Sequence, residues 1–494
     1  MPFVEAEITQ LPSSMTALTV NGPRLMQAIA DVGAIGALPD GGVGRLAFGE
    51  ADCRAREVVM GWMTAIGMAV TVDAAGNIIG QYPGRCSKSA ALATGSHLDT
   101  VPKAGLYDGT YGVLAGLEVV RTLHDHNLQL DHPIEVIVFA DEERTMIGSK
   151  AMVGRASLDP AHYDHPHHGP IQSGVAAIGG SWAQIATAKR SPGSLAAFVE
   201  LHVEQGPVLE AAGMDVGLVT GIVGQRRFLI TVKGQASHAG TTPMDMRQDA
   251  LVAAAEVVLA VNRIGCLCDE LVSGDQVATV GAMMLSPNVA NTVPGEVQMT
   301  VDMRDMSNES LDRMAAMLED EAGAIAAATQ TEIHIMAQLR NEPVPVSPHI
   351  YNAIAQVCQD LHLDAVPLPS RASHDTQIVA SLADAGMIFV PSQGGISHAE
   401  TEYTTPEHCV AGANTLLQTL LRLDRHYRIE GGAVADDDSS GKDVPGHPSD
   451  IASDSASDIA SGSASDIASG SASDSASGDR QTSTLEVTTN SHGS

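Results

Sequence analysis

Gly95-Ser96-His97-Leu98-Asp99-Thr100, answered eleven residues after its histidine by Asp108, is the stretch from which the rest of this chain can be read. The apolar run Ala90 to Ala93 ahead of it reads as a short buried strand. A loop with Pro102, Gly105 and Gly109 follows, and Thr110 to His124 has the periodicity of a helix, with Val113, Leu117 and Val120 on one face. His97 therefore stands at the C-terminal end of a strand and Asp108 just before a helix. That edge of an open α/β sheet is where ligands bind. A neutral imidazole and a carboxylate suit zinc and similar metals. Taken alone, the pair reads equally well as a surface histidine and a helix-capping aspartate.

Working outward, the same arrangement recurs. Ile134 to Phe139 is an apolar strand ending in Ala140-Asp141-Glu142-Glu143, and Ala197 to Val203 is another, ending near His202 and followed by Glu204-Gln205-Gly206-Pro207. Met387 to Val390 is a third, after which His398 closes Gly394-Gly395-Ile396-Ser397-His398. Consecutive residues at a strand end point in opposite directions, so of Glu142 and Glu143 one can bind metal while the other faces a water or substrate. Helices are expected at 21–36, 52–67, 350–361 and 406–423, and short strands at 70–72 and 77–80. Alternating strand and helix favour a largely parallel α/β sheet.

Between these parts the pattern changes. A strand at 227–232, a long helix at 248–264, strands at 278–284 and 295–304, a helix at 310–327 and a strand at 332–336 give the order β, α, β, β, α, β of a ferredoxin-like module. The expected organisation is a first catalytic part over 1–220, an inserted domain over 221–337, a second catalytic part over 338–430, and a tail over 431–494. In that tail Asp450, Asp458, Asp466 and Asp474 recur every eight residues among Ser, Ala and Gly. With so few large apolar side chains it is expected to be disordered. The His-rich stretch with His162, His165, His167 and His168 reads as a solvated loop.

The chain of 494 residues is 44% hydrophobic, ample for a core, and carries a net charge of −32. Residues 436–494 hold 11 acidic and 2 basic side chains, a net −9, so −23 lies elsewhere. So acidic a surface repels nucleic acid and anionic membrane, and it would suit high salt. The six cysteines have no zinc-ribbon spacing and read as free thiols in a reducing compartment. There is no basic segment leading into an apolar one at the N-terminus and no 18-residue apolar run, so a cytoplasmic location is expected.

The segments GSHLDTVP, LYDGTYGVLAGLEVVRTL, FADEE, LHVEQGP, SHAGTTPMDMR, PNVANTVPGEV and FVPSQGGISH, in order across about residues 21–425, resemble those of the hydantoinase/carbamoylase family of amidases. This family includes N-carbamoyl-L-amino-acid hydrolases, allantoate amidohydrolases and β-ureidopropionases. The resemblance implies a zinc-aminopeptidase-like catalytic domain of α/β class, an inserted ferredoxin-like lid and dimerisation domain, and two divalent metal ions per subunit, whether zinc, manganese, cobalt or nickel. Asp108 would bridge the ions. His97 and His202 would complete one site, and Glu143 and His398 the other. Glu142 would be the general base, and Asp99 would orient His97 through its other ring nitrogen. His238 is similar to a histidine that stabilises the oxyanion, Asn291 and Arg304 to a pair that holds the substrate carboxylate, and Gln205 to a substrate-binding residue. The implied reaction removes the carbamoyl group from an N-carbamoyl-L-amino acid, with allantoate or an N-acyl amino acid or peptide as alternatives. The implied partners are a small ureido substrate with a carboxylate and a second copy of the chain. Two segments depart from the family pattern: Arg144-Thr145-Met146-Ile147-Gly148-Ser149 lacks the usual glycine after the glutamates, and Ser370-Arg371-Ala372-Ser373-His374-Asp375 lacks two glycines.

Overall fold

The computed structural model describes residues 18–163, 169–267 and 276–432. The aspartate repeat of the tail, His165, His167, His168 and Cys268 lie outside the described residues. The first half of the chain runs through α1 (Gly22–Gly33), α2 (Glu50–Ala65), β1 (Ala69–Val72), β2 (Ile78–Tyr82), β3 (Ala91–His97), α3 (Thr110–Asp125), β4 (Ile134–Phe139), α4 (Ile147–Met152), α5 (Ile171–Ala177), β5 (Leu195–Val203), α6 (Val208–Ala212) and β6 (Val216–Ile222). Next come β7 (Gly224–Lys233), β8 (Ser237–His238), α7 (Ala250–Gly265), β9 (Val277–Ser286), β10 (Thr292–Val293), β11 (Glu296–Asp305), α8 (Asn308–Thr329) and β12 (Glu332–Asn341). The chain finishes with β13 (Val344–Pro345), α9 (Pro348–Asp360), β14 (Ala365–Ser370), α10 (Asp375–Val379), β15 (Asp384–Val390) and α11 (Pro406–Gly432).

The main sheet has nine strands in the order β1-β2-β4-β3-β5-β15-β6-β13, with β14 beside β6. Its centre, β4-β3-β5-β15, is parallel throughout. The outer pairs β1–β2, β2–β4, β15–β6 and β6–β13 are antiparallel, so the sheet is mixed rather than largely parallel. Every residue of β3 and β4 is buried. That is why these strands show no polar alternation: a parallel strand between two covered faces has no solvent side to mark.

Helix α3 lies on β3 and under α1 and α11. It is buried on more than the one face that Val113, Leu117 and Val120 define, with Leu114, Ala115 and Val119 also inaccessible. Gly112 allows the close approach, because a Cβ there would stand 2.2 Å from the Leu201 carbonyl oxygen of β5.

The second sheet is four-stranded and antiparallel, in the order β12-β7-β11-β9, with α7 and α8 packed on it. Its core is alternate residues of strands and helices, among them Ile230, Val232, Val257, Val261, Met299, Val301, Leu311 and Leu318. Alternation is visible here because only one face is covered by helices. β12 continues to Asn341, past the expected end at Met336, and α11 continues to Gly432, past Leu423.

Candidate active site

The C-terminal ends of the four central parallel strands converge on one cluster. His97 is the last residue of β3 and His202 the penultimate residue of β5. Glu142 and Glu143 sit in the turn after β4, His398 in the loop after β15, and Asp108 in the loop that enters α3. Asp108 Oδ1 lies 3.1 Å from His202 Nε2 and 3.7 Å from His97 Nε2, while its Oδ2 lies 3.1 Å from His398 Nε2. Glu143 Oε2 is 3.5 Å from the same His398 nitrogen. Asp108 thus belongs to two groups, His97–Asp108–His202 and Asp108–Glu143–His398, in each of which the ligand atoms lie within 4.8 Å of one another. Glu142 belongs to neither and approaches His97 Nε2 at 3.5 Å.

Hydrogen bonds at the far side of two rings fix what faces the cluster. His97 Nδ1 is 2.9 Å from the Asp99 carbonyl oxygen and His202 Nδ1 is 2.9 Å from that of Val203. A carbonyl only accepts, so each Nδ1 carries a proton and, in the neutral ring, each Nε2 presents a lone pair. Without metal a proton on His202 Nε2 bridges to Asp108 Oδ1 at 3.1 Å, and a cation between the two can take that proton's place. Glu143 Oε1 is buried with no hydrogen-bond partner among the described residues. These donors fit divalent zinc, manganese, cobalt or nickel.

Charge balance points the same way. Burial raises Glu142 well above its ordinary range, helped by the charges of Asp375, Glu143, Asp99 and Asp108. Burial, with Asp108 and Asp99, pushes Glu143 to about 9. Burial would also raise Asp108, but the His202 and His398 bonds overcome it and hold it well below the usual carboxylate range. Burial opposes a charged His202, yet the bond to Asp108 carries it to about 9. The protein's own groups leave this pocket short of positive charge, which metal ions would supply.

Several supports were not legible beforehand. Glu402 Oε1 accepts the backbone N–H groups of Tyr107 and Asp108 at 2.9 and 3.1 Å, and its Oε2 accepts from Ser397 Oγ at 3.3 Å. Gln205 Nε2 donates to Asp108 Oδ2 at 2.8 Å, and Ser397 Oγ shares its single proton between Glu402 Oε2 and Asp108 Oδ2, the latter at 3.2 Å. Arg45 is buried and donates to the carbonyls of Leu98, Val32 and Ile35 and to Thr110 Oγ1. It ties the loop after His97 to the start of α3. Gly109 has φ +63, and a Cβ there would lie 2.3 Å from the His97 ring. Asp141, Gln205 and His398 also adopt left-handed backbone around the cluster. The only advance hint of Glu402 was an acidic residue four places after His398.

Some expected roles fall differently. His97 is oriented by the Asp99 carbonyl, not its carboxylate, which lies 4.0 Å from Nδ1 and accepts the Glu143 N–H at 3.2 Å. Gln205 spends its amide nitrogen on Asp108, while its Oε1 is buried without a partner among the described residues. Arg304 lines the cleft of about 910 Å³ that contains the cluster. Its Nε donates to Asp302 at 2.8 Å and its Nη1 to the Arg371 carbonyl at 2.6 Å. Asn291 and His238 do not line that cleft. They neighbour each other on the β8–β10 ribbon, where Ala239 N–H donates to the Asn291 carbonyl at 2.9 Å and His238 is exposed. The expected Asn291–Arg304 pair therefore does not form within one chain. Asn291 precedes the start of β11 and Arg304 nears its end, and at about 3.3 Å per residue the strand separates them by roughly 25–30 Å.

The chain is similar to several known proteins. The family described as peptidase family M20/M25/M40 matches residues 93–422. The N-carbamoyl-L-amino acid amidohydrolase of Geobacillus stearothermophilus is 37% identical over 409 residues, covering 82% of this chain and 99% of that protein. The allantoate amidohydrolase of Bacillus subtilis is 33% identical over 394 residues, covering 78% and 94%. A crystal structure of an amidase of the hydantoinase/carbamoylase family from Burkholderia multivorans superposes with a TM-score of 0.76 at 38% identity, covering 83% of this chain and 99% of that one.

Proposed function

The chain belongs to the M20/M25/M40 peptidase family, and from that premise we propose that it is a metal-dependent amidohydrolase that hydrolyses the carbamoyl C–N bond of an N-carbamoyl-L-amino acid to the amino acid, ammonia and carbon dioxide. The observation that carries this reading is Asp108 shared between two ligand groups, with Glu142 beside them and outside both. His97, Asp108 and His202 would hold one ion; Asp108, Glu143 and His398 the other. Two divalent ions there would supply Lewis-acid polarisation of the ureido carbonyl and acidify a water at neutral pH. A ureido carbonyl needs such help, because two nitrogens donate into it.

Glu142 is placed to take the proton of the attacking water and hand it to the departing nitrogen as the C–N bond breaks. Burial and the neighbouring carboxylates raise its affinity for a proton. Arg304 Nη2, which the bonds to Asp302 and the Arg371 carbonyl do not use, would donate to the substrate carboxylate. His238 and Asn291 are assigned to the site of a partner chain. The four-stranded unit would then be both lid and dimerisation module. Its edge strand β9 exposes Met283 and Met284, and α7 exposes Val252 and Leu259, an apolar face that a second copy would cover. Among the described residues no helix is long and apolar enough to cross a membrane, and Cys53, Cys86, Cys266, Cys358 and Cys409 are free thiols. Both fit a cytoplasmic enzyme.

The test is ammonia release by manganese- or zinc-loaded protein on N-carbamoyl-L-amino acids and allantoate, with acetate release from N-acetyl amino acids beside it. Glu142→Gln should lose roughly 10²–10⁴-fold in rate while keeping its metal. Turnover of allantoate alone, or of acetyl amino acids alone, would replace the proposed substrate. Full activity in Glu142→Gln would refute the assigned base.

A further inference from the structure

The lining of the cleft runs against the composition of the chain. The sequence holds 27 Lys and Arg against 59 Asp and Glu. Yet the cleft is lined by Arg144, Lys150, Arg155, Arg227, Arg304 and Arg340. Outside the Asp108–Glu142–Glu143 cluster its one acidic lining residue among those described is Glu342, already bonded to Arg340 at 2.8 Å.

The six cations are not equivalent. On the four-stranded sheet, Arg227 and Arg304 share Asp302, and Arg340 has Asp312 as well as Glu342. Of the three on the segment around α4, Arg144 is paired with Asp141 through Nε at 3.3 Å and Nη2 at 3.2 Å and lies over the Phe48 ring, while its Nη1 is buried with no hydrogen-bond partner among the described residues. Lys150 Nζ donates to the Thr145 carbonyl at 2.8 Å, which leaves two of its three protons. Burial holds this ammonium below its ordinary value despite Asp141, Asp375 and Glu142 nearby. Arg155 stands exposed at the rim. A partly buried cation with unused protons, such as Lys150, is costly unless an anion arrives to pair it.

We propose that Arg144, Lys150 and Arg155 form a second anion subsite, and that the preferred substrate is a ureido acid with an acidic side chain. The inference rests on the amidohydrolase reading above and refines its substrate. With one carboxylate on Arg304 and the ureido carbonyl at the cluster, the side-chain carboxylate pairs with this basic wall. The competing seat for the side chain is the adjoining hollow of about 520 Å³, which includes Val208, Leu368 and Pro369 and meets the cleft at Arg304 and His398.

The experiment compares kcat/KM of the metal-loaded full chain for N-carbamoyl-L-glutamate against N-carbamoyl-L-glutamine, and for the aspartate against the asparagine compound. Each pair has nearly the same shape and differs in charge. The acid should be favoured at least about tenfold in 150 mM salt, as a charge-assisted bond in a partly dry site allows. Arg155→Gln and Lys150→Gln should each reduce that ratio about tenfold. A ratio of one or less overturns the proposal and gives the side chain to the neighbouring hollow. Equal losses for acid and amide, reproduced by added salt, would mean general steering and also overturn it. If no carbamoyl amino acid is turned over, the carbamoyl-amino-acid reading fails on its own. The subsite is then read by thermal melting: a larger rise with L-glutamate than with L-glutamine, removed by Arg155→Gln, upholds it, and equal rises overturn it.

Discussion

Replacing Arg45 by methionine tests whether a side chain that touches no proposed ligand nevertheless holds the site. The guanidinium makes four hydrogen bonds, at 2.6, 3.0, 2.9 and 2.7 Å, to the Leu98, Val32 and Ile35 carbonyls and Thr110 Oγ1. At about 1.5–3 kcal/mol for each bond to a charged group, four would be worth roughly 6–12 kcal/mol. Burial of the charge takes several of these back, since it pulls the guanidinium from its ordinary value down to about 10. The net loss in Arg45→Met should be about 3–5 kcal/mol. Leu98 follows His97, and Thr110 follows Asp108 and Gly109, so the loss falls on the loop that separates two proposed ligands. Metal affinity should drop about 10–100-fold, as when a ligand's supporting contacts are removed. Urea unfolding followed by circular dichroism reads the first effect and competition with a chromophoric chelator the second. Arg45→Lys, which keeps charge but not the fork, should lie between. A stability change under about 1 kcal/mol with unaltered metal affinity would refute the reasoning.

Three further outcomes are expected. Gly109→Ala should cost about 1–2 kcal/mol from its left-handed backbone alone, and more from the His97 ring that its Cβ would strike; metal affinity measured beside stability should fall with it. Because His398 belongs to one ligand group and Asp108 to both, elemental analysis after gel filtration should find about one ion per chain in His398→Ala and close to none in Asp108→Asn, and a chelator should abolish activity and lower the Tm of the wild type. Burial would raise Asp131, but Arg85 at 2.8 Å and Arg428 at 2.9 Å hold its carboxyl below the ordinary range. Its contribution is therefore present at neutral pH and lost as pH falls through the acid range. Asp131→Asn should flatten that part of the stability–pH curve by less than about 1 kcal/mol, given solvent screening, and an unchanged curve would contradict the assignment.

The central strands were legible because burial on both faces leaves contiguous apolar runs, and each run carries a residue that can bind metal at its end or in the loop that follows. The second sheet was legible from the opposite signal, alternation and long helices. What could not be read were contacts made across the fold. Glu402 meets the Asp108 backbone from 294 residues away, and Arg45 reaches Thr110 with nothing local to show it. Main-chain acceptors were equally hidden: the Asp99 atom that touches His97 is its carbonyl oxygen, which no side-chain pattern marks. The place of Asn291 and His238 depended on strand register and ribbon pairing, which motif spacing does not encode.

The order in which the strands deliver their residues has a consequence for synthesis. His97 and Asp108 leave the ribosome early, but His398 comes some three hundred residues later, after the whole four-stranded unit has been made. That unit pairs only with itself within 224–341 and can fold while the rest waits. The β4-β3-β5 ends can gather before β15 docks, so a nascent chain can offer the His97–Asp108–His202 group but not its partner. In the proposed two-ion site, loading would therefore be staged, and a chain stalled before β15 would offer only one of the two ligand groups that share Asp108.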